Sequence, residues 1–145
     1  MKKLEFKIDI NAPKEKVWKV LWDDKTYREW TSVFTEGSYA VSDWKEGSKV
    51  LFLSANKDGM FSVIDKLVPE EEMVFRHLGI VKDGKEMPAD EETKKWIDML
   101  ESYLLKEKDG VTEIKVSHEM SEEFCEYLET TFPKALAIVK KLSEE

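Results

Sequence analysis

Cysteine is nearly absent from this sequence: the chain has one, Cys125. A lone thiol excludes an internal disulfide and any zinc site built from several cysteines. It falls off the main apolar stripe of its segment, so an inert thiol is expected. Histidine is scarce as well. His77 and His118 are the whole supply, and they stand at no ligand spacing such as H-E-x-x-H. The chain also lacks G-x-S-x-G, a P-loop and G-x-G-x-x-G. Motifs therefore point to no catalytic residue, no metal and no cofactor. Positive charge is short too. Lys and Arg number 23 against 31 Asp and Glu, a net charge of −8, which argues against nucleic acid and anionic membranes as partners. No apolar run is long enough to span a bilayer, and no signal peptide opens the chain, so a cytoplasmic location is expected. There is no repeat, linker or low-complexity tract, and 145 residues suit one core, so residues 1–145 are expected to form a single domain.

Periodic apolar pattern is what the sequence does have. Phe124, Tyr127, Leu128, Thr131, Phe132, Ala135, Leu136, Val139 and Leu142 recur at spacings of three and four. That is one stripe of a long helix from Ser121 to Leu142. Ser121 suits the N-cap, Glu122 and Glu123 suit the positive first turn, and the lysines lie toward the negative end. Pro133 interrupts the stripe without changing its phase, which predicts a bend near Phe132. At the other terminus, Leu4, Phe6, Ile8 and Ile10 alternate with charged residues, the pattern of a half-buried strand. Helices are expected from Pro13 to about Trp22 and from Lys25 to Trp30. Strands are expected over residues 38–42, 49–54, 60–68, 73–78, 96–107 and 111–118, with a polar excursion over 79–93. Both faces of 49–54 carry apolar residues, so its inward parity is open, as is that of 60–68. Sequential strands with short connections make an antiparallel sheet, and the C-terminal helix is the element long enough to cover one face.

Asp109-Gly110 is a strong hairpin signal. A two-residue loop of type I′ closes on Lys108 and Val111 and sets Glu107 against Thr112, Leu105 against Ile114, Tyr103 against Val116 and Glu101 against His118. A three-residue loop would instead pair His118 with Leu100, and a slip by one residue would send Glu101 to the other face.

Ile8-x-Ile10-x-Ala12-Pro13-x-x-x-Val17-Trp18, followed by Trp30, resembles the opening of START-like (SRPBCC, helix-grip) domains. Gly37-Ser38, Asp43-Trp44-x-x-Gly47-Ser48-Lys49, Asp109-Gly110-x-Thr112 and Phe132-Pro133-x-Ala135-Leu136 resemble the subgroup named after the C-terminal domain of the activator of Hsp90 ATPase. The likeness runs over nearly the whole chain. It implies an α+β fold: a curved antiparallel sheet of about six to seven strands grips the C-terminal helix, with two short helices after the first strand. It also implies a cavity between sheet and helix, which across the superfamily takes lipids, sterols, polyketides or other apolar molecules. Some members are cyclases or hydrolases and others bind proteins, so fold alone does not fix function.

Aromatic residues are numerous for this length. Trp30, Phe34, Phe52, Phe75, Tyr103, Phe124, Tyr127 and Phe132 are the expected walls of one enclosed pocket, although the same residues would serve to fill a solid core. Trp44, Phe61 and Trp96 belong to the same aromatic set. Glu101 is the notable polar residue. With Tyr103 and Leu105 inward it is a carboxylate in the cavity, paired with His118; with the other parity it is solvated. The first functional reading is a protein that binds a small apolar molecule, with Glu101 and His118 anchoring a hydroxyl or carbonyl. The alternatives are a protein-binding module of Hsp90 co-chaperone type, with a protein partner, and a cyclase- or hydrolase-like enzyme.

Overall fold

The computed structural model describes residues 2–95 and 97–145, and at Glu92 the backbone only. Trp96 of the aromatic set lies outside the described residues. The elements in chain order are β1 (Lys2–Ile10), α1 (Lys14–Trp22), α2 (Asp24–Thr31), β2 (Tyr39–Ser42), β3 (Lys49–Leu53), β4 (Gly59–Val68), β5 (Glu72–Lys82), β6 (Lys85–Glu86), α3 (Glu91–Lys94), β7 (Leu100–Lys108), β8 (Val111–Met120) and α4 (Glu122–Glu144). The strands form one antiparallel sheet in the order β1-β8-β7-β5-β4-β3-β2, with β6 paired to β5.

Alternation decides which face of each strand is inside. β1 buries Leu4 and Ile10 and sends Lys3, Glu5, Lys7 and Asp9 to water. β5 is the clearest case: Met73, Phe75, His77, Gly79 and Val81 are all inward. In β8 the inward set is Thr112, Ile114, Val116 and His118. On the 49–54 segment, whose parity the pattern left open, Val50 is fully buried and Phe52 is on the same face, packed on the core. On the 60–68 segment Ser62 and Ile64 are the inward residues.

Among the boundaries that differ from the sequence reading, three have a local physical reason. β5 does not stop at Leu78. It runs on to Lys82, and the polar excursion begins at Asp83-Gly84. Those two residues have φ of 52° and 79°, the left-handed pair that a tight hairpin needs. β7 starts at Leu100 rather than at 96, because Asp98 takes φ 67° and breaks the extended run. Pro13 is the N-cap of α1, with ψ 154°, and the helix proper starts at Lys14.

α4 packs against β1, α1 and α2. It buries Cys125, Leu128, Thr131, Phe132, Ala135, Leu136, Val139 and Ser143 and runs on through Pro133. Cys125 thus belongs to the buried face, a correction to its expected place off the stripe. Phe124 and Tyr127, expected inside, are 45% and 47% exposed. The stripe rotates by one position in the first turns, so the face turned to the core there carries Cys125 and Leu128. Ser121 takes the extended N-cap conformation, but its hydroxyl makes no capping bond; its Oγ is buried without a partner. Phe132 stacks on Phe6 of β1 with ring centroids 5.0 Å apart, which ties the middle of the helix to the sheet.

Candidate ligand cavity and its polar corner

The Asp109-Gly110 turn has φ of 53° and 80°, the type I′ geometry that only residues tolerant of positive φ adopt cheaply. It closes on Lys108 and Val111, and the register then sets Glu101 opposite His118 and Tyr103 opposite Val116. On the other edge of β7, Phe75 of β5 is the direct neighbour of Glu101, and His77 N–H donates to the Met99 carbonyl at 3.0 Å. Glu101 therefore sits between two strands that each carry an inward histidine.

Its carboxylate is the hub of a polar cluster. His118 Nε2 lies 3.1 Å and His77 Nε2 3.2 Å from the same oxygen, Oε1. The hydroxyl of Tyr103 donates to the other oxygen, Oε2. The outer nitrogens are held as well: His118 Nδ1 is 3.0 Å from the Glu119 carbonyl, and His77 Nδ1 is 2.6 Å from Ser62 Oγ. A carbonyl only accepts, so His118 Nδ1 carries a proton. The carboxylate also only accepts, so Nε2 carries one too, and His118 is an imidazolium beside Glu101. His77 Nε2, although close to Oε1, is not aimed along a hydrogen bond and is buried without a partner.

The electrostatics agree with that assignment. Burial by itself would raise the Glu101 carboxyl, but the two histidines, His118 foremost, outweigh it and hold the group well below the usual carboxylate range. Burial opposes charge on His118 too, yet Glu101 prevails and its pKa is raised. Burial, then the Glu101 charge, push the Tyr103 hydroxyl well up, so it remains a proton donor. Tyr27 moves the same way for the same two reasons.

This cluster forms one corner of a cavity of about 300 Å³. Trp30, Phe34, Phe52, Phe75, Tyr103, Phe124, Tyr127 and Phe132 stand around it together with Glu101 and His118. The void is open on one side, whereas the sequence predicts one enclosed pocket. Phe124 and Tyr127 are half exposed at its edge, and the Tyr127 hydroxyl bridges the mouth by donating to the Phe34 carbonyl at 2.6 Å. Behind the mouth the rings pack edge to face: Phe34 on Phe132 at 5.0 Å, Phe52 on Phe75 at 5.1 Å. This is the geometry that aromatic quadrupoles favour.

Two aromatic wall residues escaped the sequence reading. Trp22 and Tyr27 line the cavity, and Trp22 packs against Trp30, Phe75 and Tyr103. The apolar spacing of α1 selects Val17, Val20 and Leu21, and Trp22 lies just off that stripe, at the helix end where the chain turns into α2. The role of His77 was missed as well. His77, Glu101 and His118 bring three donor atoms within 4.8 Å of one another, a grouping invisible as linear spacing because three strands contribute one residue each.

An antiparallel sheet with a long C-terminal helix, and two short helices after the first strand, defines a helix-grip protein of the SRPBCC type. The chain belongs to the family described as Activator of Hsp90 ATPase homolog 1-like protein, which matches residues 11–138. No curated protein matches it. Among solved structures it is similar to the Aha1 dimer from Colwellia psychrerythraea, with 21% identity over 99% of this chain and 97% of that one, at a TM-score of 0.75. ChR145 from Cytophaga hutchinsonii is similar at 22% identity over 97% and 92%, with a TM-score of 0.69. DynU16, a protein of the dynemicin biosynthetic locus, is similar at 11% identity over 96% of this chain and 46% of that one, with a TM-score of 0.70. At these identities the likeness establishes the fold. No helix among the described residues is long and apolar enough to cross a membrane.

Proposed function

We propose that this chain acts as one domain that binds a small, mainly apolar molecule in the cavity beside α4. The observation that carries the reading is the contrast between aromatic walls and a single polar corner in a void of about 300 Å³. Small-molecule sites combine an apolar lining with few placed polar groups, at volumes from roughly 300 Å³ upward. An apolar cavity of about 150 Å³ holds one benzene ring, so this one has room for roughly two. Glu101 accepts and its nearest donors are already committed to it, so a ligand hydroxyl or N–H is the group that suits the corner. The dynemicin locus of DynU16 agrees with a role toward a small molecule. Among the described residues the exposed large apolar side chains, Val41, Met87, Leu100, Phe124 and Tyr127, fall on separate elements or connections apart from the last two. Those two rim the cavity, which favours the ligand reading over a broad protein-docking face.

The test is native mass spectrometry of the protein purified from its own host. A retained molecule of two-ring size, released on denaturation, is expected. Tryptophan emission supplies the second readout, since Trp22 and Trp30 stand on the wall. Absence of any retained mass, with no emission change across a panel of hydroxylated bicyclic compounds, would overturn the reading.

A further inference from the structure

The Glu101 cluster has the spacing of a metal ligand set. Two donors held about 2.0–2.1 Å from one divalent ion stand about 2.8–3.0 Å apart at octahedral angles and about 3.3–3.4 Å apart at tetrahedral ones. Glu101 Oε1 is 3.1 Å from His118 Nε2 and 3.2 Å from His77 Nε2. Histidines that ligate a metal usually have the far nitrogen fixed by a carboxylate, a backbone carbonyl or a water, a role that a hydroxyl oxygen can also fill as acceptor. Here the Glu119 carbonyl and the Ser62 hydroxyl hold those positions. Tyr103 occupies Oε2, and Oε1, which both Nε2 atoms face, is the oxygen an ion would share with them. His77 Nε2 belongs to a residue only 3% exposed; it lies 3.2 Å from Glu101 Oε1 but is not aligned for a hydrogen bond to it. A buried polar nitrogen without a well-aligned bond is costly, and a shared ion would satisfy it.

We propose that His77 Nε2, Glu101 Oε1 and His118 Nε2 bind a divalent first-row transition ion such as zinc, cobalt or ferrous iron. Two imidazoles and one carboxylate suit such ions and leave coordination positions open, whereas calcium and magnesium prefer all-oxygen sets. The ligands come from β5, β7 and β8, neighbouring strands of one sheet, so the set is held in place before the ion arrives. On binding, the His118 imidazolium loses its Nε2 proton to solvent and keeps the one on Nδ1, which the Glu119 carbonyl accepts. His77 binds through Nε2 as the neutral tautomer whose single ring proton is on Nδ1, donating to Ser62 Oγ. Glu101 and His118 line the cavity, so the site borders the void.

Cobalt(II) added to the 145-residue chain after chelator treatment tests this without reference to any cavity ligand. Visible d–d absorption saturating at one ion per chain is expected. The chain contains only His77 and His118, so long-range 1H–15N spectra with zinc should move both imidazole signals together, saturating at the same one equivalent. His77→Gln and Glu101→Gln should each weaken cobalt binding by at least about tenfold. The proposal is overturned if neither ring responds, if one ring alone responds, or if folded His77→Gln binds as the parent does. Should the variants fail to fold, the ring signals of the parent protein decide by themselves. A failed metal titration beside a retained apolar ligand would sink the metal site and leave the cavity reading standing, and the converse result would do the reverse.

Discussion

His118 lies directly across the β7–β8 ladder from Glu101, and its Nε2 is 3.1 Å from Glu101 Oε1. Neither group is at ease there alone. The Glu101 side chain is 15% exposed and that of His118 7%, and an unpaired charge at such depth costs several kcal/mol. The pair is tolerable because each charge neutralises the other and because the Tyr103 hydroxyl and the Glu119 carbonyl occupy the outer positions of Glu101 and His118.

Removing one partner should therefore cost more than removing both. Glu101→Ala leaves the His118 imidazolium and the Tyr103 hydroxyl facing an empty site, and a loss of ~3–5 kcal/mol is expected. Glu101→Leu combined with His118→Leu removes both charges and should recover much of that loss. Urea denaturation of the parent, the single and the double variants measures the difference. A double variant as unstable as the single would show that shape, not charge pairing, holds the corner together.

The same pair gives stability a pH signature. Glu101 has a folded pKa below its unfolded value of about 4.3, so its contribution is present above that pH and is lost as pH falls further. His118 has a folded pKa above its unfolded value of about 6.5, so its contribution is full below that pH and is lost as pH rises through the folded value. The two windows overlap between about pH 4.3 and 6.5. The pair's contribution should be greatest there and should decline above it, with protons released on unfolding. Melting temperatures of the parent and of His118→Gln across pH 5 to 9 check this (in metal-free buffer). An equal slope above pH 6.5 in both proteins would remove His118 as the cause.

How far the site could be read beforehand follows from turn chemistry. Asp109-Gly110 is a two-residue loop whose conformation sets the register, so one motif was enough to place Glu101 against His118. The neighbour on the other side was not readable. β5 and β7 are joined through residues 83–99, and so long a connection imposes no register. Leu78 is skipped where Phe61 pairs with Gly79 and Ser62 with His77, an irregularity in the β4–β5 ladder. The ring of Phe61 covers Gly79 so closely that an added Cβ would sit 2.6 Å from it. Nothing local in the pattern of β4 announces that shift, yet it brings Ser62 beside His77. Phe52 was ambiguous for another reason: Leu51 and Phe52 are both apolar, and alternation needs a polar partner to be informative.

Pro133 offers a separate test of how α4 serves the cavity. The helix continues through it, although proline supplies no N–H to the Glu129 carbonyl and is about 3 kcal/mol less favourable than alanine in a helix interior. Pro133→Ala should stabilise the fold by ~1–3 kcal/mol in urea denaturation. Phe132, one residue before it, stands on the cavity wall and stacks on Phe6. Ligand affinity should fall in the same variant as that ring shifts. Unchanged stability and unchanged affinity together would mean that the proline is only tolerated.

Filling the cavity from the helix side separates its two proposed occupants. Leu128 is buried on α4 and is part of the wall, while the polar corner is built from β5, β7 and β8 across the void. Leu128→Trp places an indole in space that the structure leaves open, so the usual penalty for overpacking, about 1–3 kcal/mol, should be largely avoided. Binding of an apolar ligand should be lost, because the new ring takes the volume that ligand needs. Cobalt binding should persist, because none of the three donor atoms belongs to α4. Tryptophan emission with a bicyclic probe reads the first effect and the cobalt absorption band the second. If the variant folds, keeps its melting temperature and still takes the apolar probe at parent affinity, the cavity is not where that probe binds.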